Sequence, residues 1–186
     1  MDPLFQQIES WHGNNSWDNV LDAGTGKHSL HWILGQSTRS VTAITGAQQR
    51  KDELSAQFSH QLGINDRIIV GNWLNQSLLA DQRFDIVIAD YLLGAIEGFA
   101  PYFQSKIFAR LRPHCKAVLY IIGQEPLPHA FSKGGELISE LYRLRDACIL
   151  LAGHRCYREY PLVWIQENVA QNGYQVLQSQ TFPMSL

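Results

Sequence analysis

Apolar positions follow two rhythms along the chain. Short strand-like runs rich in apolar residues fall at residues 20–21, 41–44, 68–70, 84–89, 117–122 and 174–181, each next to a segment compatible with a helix. Strands alternating with helices predict an α/β, Rossmann-like, doubly wound and mostly parallel sheet, here of six strands. The runs at 86–89 and 118–122 lack polar alternation, as expected of strands covered on both faces, and are predicted to form the middle of the sheet. The second rhythm is helical. Leu54, Phe58 and Leu62 recur every four residues ahead of Gly63, and Leu137, Leu141, Leu144, Cys148 and Leu151 trace a longer stripe. Both stripes are read as faces turned to the core. Residues 27–34 and 99–111 are predicted helices, the latter stopped by Pro113, and Pro161 opens a last helix that closes near Gly173. With no internal repeat, low-complexity tract or linker, residues 1–186 read as a single domain.

Composition narrows this picture. A chain of 186 residues with 45% hydrophobic, 11% aromatic and 17% charged residues can build one packed core. Its 15 basic and 17 acidic residues give a formal charge of −2, and the basic residues are dispersed. No basic stripe is available for a nucleic-acid backbone, so nucleic acid is not an expected partner. The three cysteines, Cys115, Cys148 and Cys156, have no CxxC spacing, so neither a disulfide framework nor a zinc site is expected and a reducing compartment fits. The first residues lack a basic region leading into an apolar run, and no stretch approaches the roughly 20 apolar residues of a membrane span. A soluble cytoplasmic protein is the expectation.

The strongest chemical signal is Val20-Leu21-Asp22-Ala23-Gly24-Thr25-Gly26, followed at once by the helix at 27–34. An apolar strand ends at Asp22, two glycines allow a sharp turn, and a helix N-terminus follows with unpaired N–H groups, an arrangement that offers bare backbone to a small polar ligand. A dinucleotide fingerprint needs a third glycine where this chain has His28 or Ser29, which argues against a nicotinamide cofactor. In an open parallel sheet ligands bind beyond the carboxyl ends of the strands. That rule selects Asp22 to His28, then Thr45 and Gly46, then Gly71, Asn72 and Trp73, then Asp90 and Tyr91.

Asp22-Ala23-Gly24-Thr25-Gly26 resembles the first motif of class I S-adenosylmethionine-dependent methyltransferases, an acidic residue followed by alternating glycines. Asp22, Gly24 and Gly26 carry the match, and His28 stands where the family usually has its last glycine. The resemblance spans residues 20–181 and implies S-adenosylmethionine as cofactor, with Asp22, Ala23, Gly24, Thr25, Gly26, Thr45, Gly46, Gly71, Asn72, Trp73, Asp90 and Tyr91 around it. Where the family ends its second strand on an acid that grips both ribose hydroxyls, this chain has Thr45. Losing one charge-assisted hydrogen bond costs about 1.5–3 kcal/mol, about tenfold or more in affinity, unless a neighbour such as Gln48 compensates. Thr45 reads equally as a strand-end residue satisfying a local turn. Gly71-Asn72-Trp73 resembles the family's Gly-Asp-aromatic pattern, with Asn72 able to accept from an adenine amino group and Trp73 either flanking the purine or packing in the core. The segment from Phe84 to Gly94 resembles the fourth motif, with Asp90 at its acidic end and without the Asp-Pro-Pro-Tyr form that marks many amino methyltransferases.

Methyl transfer is an in-line displacement at a sulfonium carbon and needs an aligned, deprotonated nucleophile. His28 and Asp90 are the candidate catalytic residues, with His31 one turn beyond His28; each histidine reads equally as a cap or packing residue. The connector containing His154, Arg155 and Arg158 is a candidate clamp for an acidic substrate, or a solvated loop with local ion pairs. Glu97 either faces the pocket or starts a helix. The family fold implied by the resemblance has seven strands, and the seventh is not visible in the sequence. Either the sequence is a shortened or short variant of that fold or a partner completes the edge; an uncovered sheet edge is prone to pairing, and a homodimer through it is the candidate association. The function expected is methyl transfer from S-adenosylmethionine to a small-molecule acceptor, with a noncatalytic domain of the same fold as the competing reading.

Overall fold

A computed structural model describes residues 2–126 and 132–183. In chain order the elements are α1 (Pro3–His12), β1 (Asp18–Asp22), α2 (Lys27–Leu34), β2 (Thr38–Thr45), α3 (Gln48–Gln57), β3 (Arg67–Val70), β4 (Phe84–Asp90), α4 (Leu92–Phe99), α5 (Gln104–Leu111), a 3-10 turn (Arg112–His114), β5 (Cys115–Ile122), α6 (Lys133–Leu151) and α7 (Leu162–Gln171). The five strands are all parallel in the order β3-β2-β1-β4-β5. The order reverses between β1 and β4, which opens a crevice at the carboxyl ends of those two strands.

Successive strand residues feed opposite faces, so an unbroken apolar run serves two cores. On β4, Val87 and Ala89 join Leu21, Ile107, Phe108 and Leu111 on the face covered by α4, α5 and α7. Ile86 and Ile88 join Val20, Leu30, Ile33 and Leu54 on the face covered by α1, α2 and α3. The helices begin where the local chemistry allows. Asp2 Oδ1 accepts the Leu4 N–H at 2.8 Å and Pro3 occupies the first turn of α1, while Ser29 Oγ accepts the Gly26 N–H at 3.1 Å at the start of α2.

Four sequence expectations are corrected. Residues 174–181 form no strand: Val176 and Leu177 are exposed, and no described strand lies alongside to satisfy their backbone. The sheet among the described residues therefore has five strands and not six; Met184 to Leu186, where the chain ends, lie outside those residues. β5 is consequently an edge strand and not a central one. Its apolar run arises because α7 packs on one face and His12, whose Nδ1 lies 2.9 Å from the Tyr120 hydroxyl, on the other. The helix expected over 99–111 is two, separated at 100–103 where Pro101 and the left-handed Tyr102 (φ 65°) break the spiral. Finally, Leu54 and Phe58 are core residues, but no residue of α6 is buried, and its leucine stripe faces solvent. Among the described residues no helix is long and apolar enough to cross a membrane.

Candidate functional site

The crevice at the switch point is a cleft of about 630 Å³ bounded by the ends of β1, β2, β3 and β4. Ala23, Gly24, Thr25, Gly26, Thr45, Gly46, Gly71, Asn72, Trp73, Asp90 and Tyr91, all selected from the sequence, line it.

The turn after β1 is stitched into the sheet. The Ala23 N–H donates to the Ile88 carbonyl at 2.8 Å, and the Thr25 N–H to the Ile44 carbonyl at 2.7 Å. With the Gly26 N–H on Ser29, these three amides are engaged within the chain, which corrects the expectation of a bare backbone. Gly24 is required for another reason: a Cβ there would lie 2.7 Å from Leu92 Cδ1, so the glycine lets α4 pack against the turn. Asp22 is fully buried behind it and does not line the cleft. Its Oδ2 accepts the Ser29 hydroxyl at 2.8 Å while Oδ1 is buried without a partner among the described residues, and burial, only partly offset by the neighbouring donors, pushes its carboxyl up to about 6. Asp22 shapes the turn from beneath.

The second and third strand ends are joined directly. The Gly71 N–H donates to the Thr45 carbonyl at 2.9 Å. Asn72 spends both ends of its amide: Oδ1 accepts the Leu74 N–H at 2.9 Å, and Nδ2 donates to the Phe99 carbonyl at 2.7 Å. The Phe99 ring lies so close over Gly46 that a Cβ there would meet ring carbons at 2.5 Å. The last residue of α4 thus reaches across the cleft onto the end of β2. Trp73 is 5% exposed; its indole N–H donates to the Ala23 carbonyl at 2.7 Å, and the Arg110 guanidinium lies 5.4 Å from its ring. It is a core pillar under the turn that also borders the cleft.

β4 delivers Asp90 and Tyr91 to the rim. Asp90 Oδ1 is buried without a hydrogen-bond partner among the described residues. Burial first, then the Asp22 and Asp2 carboxylates, push Asp90 up to about 7. Tyr91 adopts a left-handed backbone (φ 46°), costly for a tyrosine and the means by which the chain swings sharply from β4 into α4. Its N–H holds to the Ile122 carbonyl at 3.0 Å.

Other candidates fall elsewhere. α2 buries Ser29, Leu30, Trp32 and Ile33, which leaves His28 and His31 exposed, outside the cleft lining; the His31 ring stacks on Phe58 at 6.0 Å. His154 is exposed and also outside the lining. Arg155 and Arg158 lie 3.2 and 3.6 Å from the Glu97 carboxylate, with their guanidiniums 5.9 and 5.2 Å from the Tyr102 ring. Glu97, 3% exposed, also accepts from Gln104 Nε2 at 2.9 Å and the Tyr102 N–H at 3.3 Å, and these partners hold its carboxyl below the usual range. The two arginines are paired with a buried carboxylate, while each side chain stays half exposed. The Glu159 carboxylate packs against Gly94, so the whole connector is seated on α4. Tyr157 is its residue that lines the cleft.

Sequence reasoning missed Phe99, Tyr157, Arg50 and Glu53 in the lining. Arg50 and Glu53, paired at 3.0 Å, follow the end of β2 on α3 and were within reach of the strand-end rule. Phe99 carried no local signal, because its place depends on a tertiary contact. Among the described residues no group of three histidine, cysteine or carboxylate side chains is placed to hold a metal ion.

No protein-family profile matches the chain, and no curated protein matches it by sequence. Solved structures do. A provisionally assigned methyltransferase from Bacillus halodurans superposes with a TM-score of 0.68 at 11% identity over 95% of this chain and 70% of its own. The YcgJ protein of Bacillus subtilis gives 0.62 at 19% identity, covering 94% of this chain and 70% of its own. The mycolic acid cyclopropane synthase CmaA1, complexed with SAH and CTAB, gives 0.58 at 14% identity, covering 93% and 61%. At such identities the likeness establishes the fold: a methyltransferase-type, Rossmann-like α/β fold, in agreement with the resemblance carried by Asp22 to Gly26.

Proposed function

We propose that the chain binds S-adenosylmethionine in this cleft and transfers its methyl group to a small-molecule acceptor. The observation that carries the reading is convergence: Gly24 and Gly26, Thr45, Asn72, and Asp90 with Tyr91 come from four separate strand ends and meet in one cleft at the switch point. Its volume suits a nucleoside-sized ligand, within the roughly 300–1,000 Å³ of cofactor sites. The unpartnered Asp90 Oδ1 fits a ligand that brings a donor or a positive centre, because a buried acceptor without a partner costs free energy until something pairs with it. Bound there, the cofactor supplies an electrophilic methyl group on a sulfonium sulfur.

The chain's own residues do the rest. Asp22 and Ser29 fix the turn, Thr45 offers a polar contact at the second strand end, Asn72 ties the third strand end to α4, and Phe99 and Tyr157 exclude water over the cleft. Asp90, pushed up to about 7, is poised to take a proton from a hydroxyl or ammonium acceptor near neutral pH. His28, exposed outside the lining, has no part in this reading. Conversion of S-adenosylmethionine to its demethylated product, dependent on an added acceptor and lost in Asp90→Asn, tests it.

A second reading, a noncatalytic domain of the same fold, draws support from Phe99 lying over Gly46 and from Thr45 and Asn72 standing where the resembled family has acids. Cofactor binding without turnover on any acceptor, in a folded protein, distinguishes it from the first.

A further inference from the structure

α6 is the one long helix of the described chain that buries nothing. It runs 19 residues from Lys133, capped by Ser132, whose Oγ accepts the Gly135 N–H at 3.1 Å, and none of its residues is buried. Yet it is two-faced. Ile138, Tyr142, Asp146 and Ile149 are half-buried, and the Cys156 thiol donates to the Asp146 carbonyl at 3.4 Å, so this side carries the connector that follows the helix. On the other face Leu137, Leu141, Leu144 and Leu151 are 58, 56, 62 and 88% exposed, and Cys148 is exposed with them; Leu150, 62% exposed, lies off this stripe.

The spacing of the exposed set is alternately four and three residues, the seam of a coiled coil rather than the broader stripe of a helix lying on a globular core. With Leu141 and Cys148 as a positions and Leu137, Leu144 and Leu151 as d positions, Glu140 falls at g and Arg145 at the following e. In a parallel pair each g residue faces the e residue five further along the partner, so Glu140 of each copy comes opposite Arg145 of the other, twice by symmetry, once Arg145 turns from the exposed pairing it makes within one chain to Asp146 Oδ1 at 2.7 Å. An antiparallel pair sets g against g and e against e and offers neither residue an opposite charge. The side that carries the connector lies largely away from the seam, so the connectors would sit outward on either side of the paired helices.

We propose that α6 is a homodimerisation helix that pairs in parallel with α6 of a second copy through Leu137, Leu141, Leu144, Cys148 and Leu151. This seat differs from the open edge of β5, where the sheet alone would put association. The inference is independent of the methyl-transfer reading.

Sedimentation across the micromolar range tests it on the whole chain. The mass should rise from one chain to two with concentration, and Leu141→Glu with Leu144→Glu should abolish the rise while leaving the circular dichroism and melting midpoint unchanged, since both positions are exposed. Glu140→Arg should weaken the dimer about tenfold at low salt, and adding Arg145→Glu should restore it. Parallel alignment also sets Cys148 against its own copy, so diamide should cross-link the wild-type dimer through a disulfide and fail to do so in Cys148→Ser. A chain that stays monomeric overturns the proposal. So does a dimer that survives the leucine changes, which would move association to the β5 edge, and so does a charge exchange that fails to restore pairing.

Discussion

Asn72 donates from Nδ2 to the Phe99 carbonyl at 2.7 Å and so ties the loop after β3 to the last turn of α4, across the mouth of the cleft. The tie holds the Phe99 ring over Gly46, at the end of β2. A nucleoside entering along the strand ends must move this ring, and a population held closed lowers apparent affinity by the fraction that is open.

Phe99→Ala should therefore tighten S-adenosylmethionine binding, by about three- to tenfold if the ring closes most of the population. Calorimetric titration of the two proteins side by side measures this, and weaker binding in the variant would mean the ring is a contact and not an obstruction.

Gly46→Ala places a methyl group against the same ring. It should lower stability by about 1–3 kcal/mol, a typical overpacking cost, and should do so far less in a Phe99→Ala background. Chemical denaturation of the single and double variants gives the coupling directly.

The two buried acids set a pH dependence. Asp22 and Asp90 rise to about 6 and about 7 in the folded chain from 3.8, so the folded state holds more protons than the unfolded one over that window. Their contribution to stability is full below about pH 4 and is lost as pH climbs through 6 and 7. Asp90→Asn should stabilise the ligand-free protein at pH 8 by roughly 1–3 kcal/mol and flatten the fall in melting temperature between pH 5 and 8.

Glu97 is the anchor of the connector at 154–160. Glu97→Ala leaves Arg155 and Arg158 without their carboxylate and should cost about 1–3 kcal/mol. Limited trypsin digestion should then cut after Arg155 or Arg158 in the variant well before it cuts the wild type, and equal resistance would show that Glu159 on Gly94 holds the connector alone.

The parts of the fold legible in the sequence are those set by local chemistry. The strand, glycine turn and helix from Val20 to Leu34 are declared by a change of apolar period and by glycines where the backbone must turn or be closely approached. The position of His28 was legible too, since Leu30, Ile33 and Leu34 fix the buried side of α2 and leave residues 27, 28 and 31 on the other. The α6 stripe announces a covered face without saying what covers it, and its periodicity alone is indistinguishable from that of a core face. Phe99 over Gly46 and Glu97 between two arginines join residues far apart in the chain, and no local pattern encodes such a pairing.

The central claim is that the cleft is a cofactor site, and calorimetric titration with S-adenosylmethionine followed by its demethylated product tests it most directly. The account predicts micromolar binding with mutual competition, weakened when Asp22→Ala loosens the turn in a protein that still folds. Absence of heat and of competition at millimolar ligand, with the protein folded, would contradict it.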